Sequence, residues 1–315
     1  MQSISTPACD RRPRLLVVEL WGLGDLALAM PFLRAATERC RVTLLAKPHA
    51  APLLRRFAPE VELMPLHAPW TAFRNKYDLP RWPWQNLADT VAALRTRRFD
   101  AAVSARRDPR DHALLALSGA ALRAGFPWRA SRALLTDPVD APAPPHRARH
   151  WAALAARFGW EIPATPSRSR DGRHAVIHSG AGQPVRQWPR ERFEALAARL
   201  VAQGWRVTLL DDTLRDLDTL LDTLATADRF IGNDSGPGHL AALLGVPTFT
   251  IFGPQLPELF APQHPQAAWI DGAACVFKPC FDSCRFGSPH CIRELTPETV
   301  WASLSQWIEA PTSRR

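Results

Sequence analysis

The feature that most constrains this chain is an alternation. Short apolar runs rich in Val, Leu and Ile, each closed by a glycine or polar turn, are followed by segments whose apolar residues recur at helical spacing. Strands that alternate with helices imply parallel sheets with helices on both faces. Arg14 to Leu20 reads as the first strand and Leu26 to Ala36 as the helix after it. Arg41 to Ala46 and Phe99 to Ser104 read as strands, Pro52 to Phe57 and Gln85 to Arg97 as helices.

Between Ile162 and His174 the periodicity stops in Pro-Ala-Thr-Pro-Ser-Arg-Ser-Arg-Asp-Gly-Arg, which has the turn formers and charge of a linker. The alternation then restarts. Ala175–His178, Trp205–Leu210, Arg229–Ile231 and Pro247–Phe252 read as strands, and Arg190–Val201, Leu214–Leu224 and Gly236–Leu244 as helices. A last helix over Pro297–Ile308 carries Thr296 as N-cap, Pro297 at its first position and Glu298 in its first turn. A length of 315 residues exceeds what one core usually organises, and 46% hydrophobic residues suffice for two. The expected plan is an N-terminal Rossmann-like domain (1–161), a linker (162–174), a C-terminal Rossmann-like domain (175–295) and a C-terminal helix (296–315) that can pack back on the first domain.

The longest apolar runs, such as Val246 to Gly253, are far short of the roughly 20 residues of a membrane-spanning helix. Residues Met1 to Arg14 lack the apolar core of a signal peptide, so a cytoplasmic location is expected. Six cysteines are too few for a disulfide scaffold, and reduced thiols are expected. The net charge of +9 is one-sided: up to residue 150 there are 23 Lys/Arg against 13 Asp/Glu, and beyond it 16 against 17. Arginine bias from genome composition alone should load both halves alike. The excess suggests that the first half meets a polyanion or an anionic membrane face.

Four segments can carry chemistry. The first, Gly22-Leu23-Gly24-Asp25-Leu26-Ala27, follows a strand and opens a helix, which fits the loose dinucleotide fingerprint. That reading requires an acid at the end of the next strand, which instead ends Leu44-Leu45-Ala46-Lys47. Asp25 is left either as a functional carboxylate or as a mere cap. At the N-cap or N1 position, unpaired N–H groups stabilise its charge by about 0.3–1 kcal/mol. The second segment, His178-Ser179-Gly180-Ala181-Gly182 with Arg186-Gln187-Trp188-Pro189 after it, offers small residues and an arginine fork for a diphosphate. The third and strongest is Ile231-Gly232-Asn233-Asp234-Ser235-Gly236-Pro237-Gly238-His239, a strand, polar elbow and helix start whose N–H groups from Ser235 to Gly238 make an anion site. Asp234 repels phosphate and so would orient the loop, meet sugar hydroxyls or cap the helix, while His239 reads either as a site residue or as a buried helix residue. The fourth is Cys275, Cys280, Cys284 and Cys291, a set that could hold zinc or iron but lacks the Cys-x2-Cys knuckles of structural zinc sites.

These segments in this order resemble glycosyltransferase family 9, the bacterial heptosyltransferases of the lipopolysaccharide inner core. LLVVELWGLGDLALAMPFLRA is similar to the family's opening strand, Gly-Asp turn and Pro-containing helix, AVIHSGAGQPVRQWPRERFEALAARL to the start of its donor domain, and FIGNDSGPGHLAALLGVPTFTIFGP to its most specific motif. The resemblance implies a GT-B fold, two Rossmann-like domains with parallel sheets facing across a cleft, and an inverting, metal-independent transfer without a cofactor. It implies Asp25 as general base and Ser179, Gly180, Ala181, Arg186, Asp234, Ser235, Gly236, Pro237, Gly238 and His239 on the donor. The implied partners are a nucleotide sugar, ADP-heptose, and an anionic glycolipid acceptor reached by peripheral contact of the basic domain with the inner membrane, with no nucleic acid. The chain departs from the family at Arg186, where lysine is usual. It departs again in the short stretch from Leu210 to Asn233, where Asp211-Asp212 replaces a Gly-rich turn. Other classes consistent with the residues are a transferase for another nucleotide sugar, a nucleotide-sugar-binding protein without turnover, and an NAD-dependent oxidoreductase.

Overall fold

The computed structural model describes residues 12–72, 75–164, 167, 172–214, 216–281 and 283–309. Residues 165, 166 and 168–171 of the expected linker, Cys9 and residues 310–315 of the C-terminal segment lie outside the described residues. The first half runs β1 (Arg14–Glu19), α1 (Leu23–Thr37), β2 (Arg41–Ala46), α2 (Ala50–Phe57), β3 (Glu62–Pro65), α3 (Trp84–Thr96) and β4 (Ala101–Ser104). It continues with α4 (Pro109–Leu117), β5 (Leu122–Gly125), β6 (Asp137–Pro138) and α5 (Arg147–Arg157). The second half runs β7 (His174–His178), α6 (Arg190–Ala202), β8 (Arg206–Leu210), α7 (Leu217–Ala225), β9 (Arg229–Asn233) and α8 (Gly236–Leu243). After these come β10 (Thr248–Phe252), α9 (Pro257–Phe260), β11 (Ala268–Asp271), α10 (His290–Arg293) and α11 (Pro297–Glu309).

Each half forms one parallel sheet, in the orders β3-β2-β1-β4-β5-β6 and β11-β10-β9-β7-β8. Within β1 successive side chains go to opposite layers. Leu15 and Val17 pack with Leu26, Met30 and Phe32 of α1, while Leu16 and Val18 pack with Leu94 and Leu114 on the far face. Both faces are covered, which is why these strands read as continuous apolar runs rather than as alternating ones. The register pairs Val17 with Leu44 of β2 and Val103 of β4, and in the second sheet Val176 of β7 with Phe230 of β9. Each fully buried leucine or phenylalanine here contributes about 1.5–3 kcal/mol.

The two halves meet along α1 and α8, and one core cluster runs through both, from Leu26 and Phe32 to Leu240 and Phe230. A Cβ on Gly24 would lie 2.6 Å from Cδ2 of His239, and one on Gly236 would lie 3.0 Å from Cβ of Leu23. Two glycines therefore let the helix starts approach. Exposed ion pairs, Arg55–Asp218 and Arg56–Asp222 at 2.7 Å, flank this contact between α2 and α7 and contribute at most about 1 kcal/mol each. The last helix departs from expectation. It packs on α6, β10 and β11, buries Val300, Leu304 and Ile308 in the second core, and donates from the Trp307 indole to Gln266 O (2.9 Å). Its apolar stripe complements the uncovered face of the second sheet, so through Glu309 it does not return to the first domain.

Candidate active site

Open α/β sheets bind ligands at the carboxyl ends of the strands where the strand order reverses. That point lies between β1 and β4 in the first sheet and between β7 and β9 in the second. The loops leaving all four strands reach a cavity of about 740 Å³ lined from both halves.

On the first side, α1 starts with Gly22 as its N-cap, so Asp25 is the third helical residue rather than the N-cap or N1 residue expected. Its carboxylate accepts the Gly22 N–H (3.2 Å) and meets the Arg106 guanidinium at 2.5 Å. Arg106 leaves the end of β4. It lies over the Trp21 ring (4.7 Å to its centre) and stands 3.9 Å from Glu19 Oε1. Its backbone is pinned, the N–H donating to Ser104 Oγ (3.2 Å) and the carbonyl meeting His112 Nε2 (3.0 Å). Burial would raise the Asp25 carboxyl, but Arg106, with Arg147, the Gly22 N–H and His239 behind it, outweighs burial and holds the group below its usual value. Glu19 goes the other way, pushed up to about 8 by burial that Arg106 only partly offsets. Lys47 and Arg147 also line the cavity; Arg147 is brought down to about 10 by burial and by Arg106, and stays cationic. The Asp25 carboxylate thus lies in the field of Arg106, Arg147 and Lys47.

On the second side, the Asn233 side chain ties the loops together. It accepts the Trp188 N–H (3.0 Å) and donates to the carbonyls of Ser179 (2.8 Å) and Gly180 (3.2 Å). Ser235 caps α8, and Asp234, Ser235, Gly236 and His239 line the cavity with Arg186. Arg186 is fixed by the Phe281 carbonyl (3.2 Å) and lies 3.7 Å from Asp234 Oδ2. Asp234 is buried and its Oδ2 has no hydrogen-bond partner. Burial pushes its carboxyl up to about 6, against Arg186 and with Asp25 adding to the rise. His239 is likewise buried with Nδ1 unpartnered, and burial brings it down to about 4, so its ring is neutral. Buried polar atoms without partners are uncommon, and here two of them belong to residues of one cavity wall.

Not every expected residue arrives. Gly238 spends its N–H on the Ser235 carbonyl (3.2 Å) and Pro237 has none, which leaves Ser235 and Gly236 as the first-turn amides of the elbow that line the cavity. Ser179, Gly180 and Ala181 do not line it. The space beside Gly180 is taken by the Asp212 carboxylate, 1.8 Å from where a Cβ would stand, and Gln187 bridges Asp212 to the Ala181 carbonyl. The loop is bound to protein groups, and a carboxylate at that place repels phosphate. The four cysteines do not form a metal site: among the described residues no three His, Cys, Asp or Glu side chains converge to hold an ion. Cys280 and Cys284 instead turn their thiols to the carbonyls of Phe277 and Ser288 (3.4 Å each). Conversely Glu19, Lys47, Arg106 and Arg147 escaped sequence reasoning. The one available signal was the Arg106-Arg107 pair directly after an expected strand.

Known proteins share this architecture. The sequence model of glycosyltransferase family 9 (heptosyltransferase) matches residues 214–288. Lipooligosaccharide heptosyltransferase 2 of Campylobacter jejuni is 30% identical over 128 residues, 40% of this chain and 39% of that protein. Lipopolysaccharide heptosyltransferase 1 of Pseudomonas aeruginosa is 26% identical over 178 residues, 45% of this chain and 50% of that protein. The matched stretch spans only two-fifths to one half of these relatives. The structure of Escherichia coli heptosyltransferase WaaC with ADP aligns over 93% of this chain and 99% of its own, with a TM-score of 0.71 at 16% identity. The fold is thus GT-B, and glycosyltransferase family 9, which the sequence resembles, is the family whose model the second domain matches.

Proposed function

We propose that the protein is an inverting glycosyltransferase that moves heptose from ADP-heptose to a lipopolysaccharide core or related anionic glycan. One observation carries this reading: an ionised carboxylate, Asp25, shares a single cavity with the buried Asp234–His239 elbow and Arg186. The relatives named as heptosyltransferases, and the bound ADP of one structural relative, support the choice of donor. Asp25 takes the proton of the acceptor hydroxyl as its oxygen bonds to the anomeric carbon. The bond from that carbon to the diphosphate oxygen breaks on the opposite side, and its electron pair leaves with the nucleotide. General-base help of this kind contributes on the order of 10²–10⁴-fold.

Arg186 and the amides of Ser235 and Gly236 meet the departing charge, which fixed donors stabilise without a divalent ion. Lys47, Arg106 and Arg147 give the acceptor side a positive wall suited to an anionic glycolipid. Such an acceptor places the enzyme at the cytoplasmic face of the inner membrane, held by its basic half. No helix among the described residues is long and apolar enough to cross a membrane. An Asp25→Asn protein should bind donor nucleotide yet transfer sugar at least ~10²-fold more slowly, and wild-type transfer would remove Asp25 from the mechanism. A thermal-shift screen of ADP, GDP, UDP and CDP with their sugars names the donor, with ADP-heptose expected to give the largest shift. Transfer should survive EDTA; its abolition would overturn the metal-independent route.

A further inference from the structure

Large apolar side chains stand out of the first domain beside the acceptor half of the cavity. Tyr77 is 75% exposed, Leu79 52%, Trp84 54% and Trp128 42%. They form part of one built surface. Trp70 lines the cavity, its ring lies 5.6 Å from that of Trp82, and Trp82 in turn lies 5.3 Å from Trp84, whose indole donates to the Leu79 carbonyl (2.9 Å). An aromatic ladder thus leads from the cavity wall to the surface.

Cations are interleaved with it. Lys76 lies over the Tyr77 ring (5.5 Å), Arg129 over Trp128 (4.5 Å), and Arg81 is exposed. The neighbouring acid Asp78 is neutralised by Arg81 at 3.4 Å. Lys76 and Trp128 also line the cavity, so the patch is its rim.

A watery surface gives no reason to expose two tryptophans, a tyrosine and a leucine together, and contiguous apolar patches mark contact with another phase or partner. Tryptophan and tyrosine favour the headgroup level of a bilayer, and basic side chains beside them draw anionic lipid. The +10 excess of residues 1–150 supplies the complementary charge. We propose that Tyr77, Leu79, Trp84 and Trp128, with Lys76 and Arg129, form the surface that docks on an anionic phospholipid bilayer and turns the acceptor side of the cavity toward it. The orientation rests on the acceptor reading above. The docking does not.

The test is sedimentation of the full chain with acceptor-free vesicles, either phosphatidylglycerol/phosphatidylethanolamine or phosphatidylcholine alone. Wild type should bind the anionic vesicles and lose them as salt is raised. The triple variant Tyr77→Ser/Leu79→Ser/Trp84→Ser should bind them at least tenfold more weakly while ADP still raises its melting temperature as in wild type. Trp84→Phe alone should keep most of the binding. Should wild type ignore anionic vesicles, or the folded triple variant bind them unchanged, the assignment fails. A change of oligomeric state in the triple variant without any loss of vesicle binding would overturn it in favour of a protein interface. Vesicle binding without any sugar transfer would sink the proposed function and leave the docking surface standing.

Discussion

Gly24 offers the sharpest geometric test of how the two halves of the site are joined. An alanine there would place its Cβ 2.6 Å from Cδ2, 3.2 Å from Nε2 and 3.4 Å from Cγ of His239. Ordinary carbon contacts begin near 3.5 Å, so the two groups must separate by roughly 1 Å. His239 is buried on α8, with the Asp234 elbow immediately before it, and its ring has little room to turn. Overpacking of this kind costs about 1–3 kcal/mol, and a displacement of about 1 Å between reacting groups can cost on the order of 10²-fold in rate. Gly24→Ala should therefore lower both the free energy of unfolding in urea and kcat/KM. His239→Ala removes the ring atoms that the new methyl group strikes, so in the His239→Ala background the same change should be nearly neutral to stability. The coupling in this double-mutant cycle should be about 1–3 kcal/mol. A Gly24→Ala protein with wild-type stability, or with a penalty that persists when the ring is gone, would refute the view that this glycine exists for the approach of α1 to α8.

Three further outcomes follow from the charges. Arg106→Gln removes the chief group that offsets burial at Asp25, so the acid limb of the pH profile of kcat/KM should move to higher pH, and Arg106→Lys should largely restore it; an unmoved limb would refute the pairing as the cause. The Asp25–Arg106 pair contributes stability above the ordinary carboxylate range and loses it as pH falls through the depressed folded value. Glu19 has the opposite sign: its folded value of about 8 against an ordinary 4.5 means that the unfolded chain sheds this proton first, so its burial costs stability as pH rises from about 4.5 to 8. Glu19→Gln should accordingly gain at least ~1 kcal/mol over wild type at pH 8 relative to pH 5 in urea unfolding, and an equal difference at both pH values would refute the burial argument. Arg186→Ala should weaken nucleotide-diphosphate binding by about tenfold or more in calorimetry while leaving nucleoside binding unchanged, because a charge-assisted contact is worth about 1.5–3 kcal/mol; equal losses for both ligands would argue for a merely structural arginine.

Local patterning made the α/β alternation readable in the sequence, because strand and helix periods and glycine turns are properties of a few neighbouring residues. The weak elements escaped it. β3 and β5 are four residues long, β6 is two and lies at a sheet edge, and none carries a full apolar run. The helix α5 reads Arg-Ala-Arg-His-Trp-Ala-Ala-Leu-Ala-Ala-Arg directly after a proline-rich stretch, and only its packing against α1 gives its Trp151 and Leu154 a core to enter.

Of the site, the sequence determined the turn chemistry: Asp25, Arg186, Asp234, Ser235, Gly236 and His239 stand where strand ends give way to helices, and all line the cavity. Tertiary structure decided what each of them faces. Arg106 reaches Asp25 across 81 positions of chain only because β4 lies next to β1, and Asp212 displaces the phosphate role expected of Gly180 because β8 lies next to β7. Strand order is settled by which apolar faces find partners, and burial, which sets Glu19, Asp234 and His239 so far from their ordinary ionisation, exists only once those faces have closed. The glycine turn after β1 shows the division most plainly. Its sequence announces a tight turn into a helix, and the fold alone turns that tightness into contact with the opposite domain.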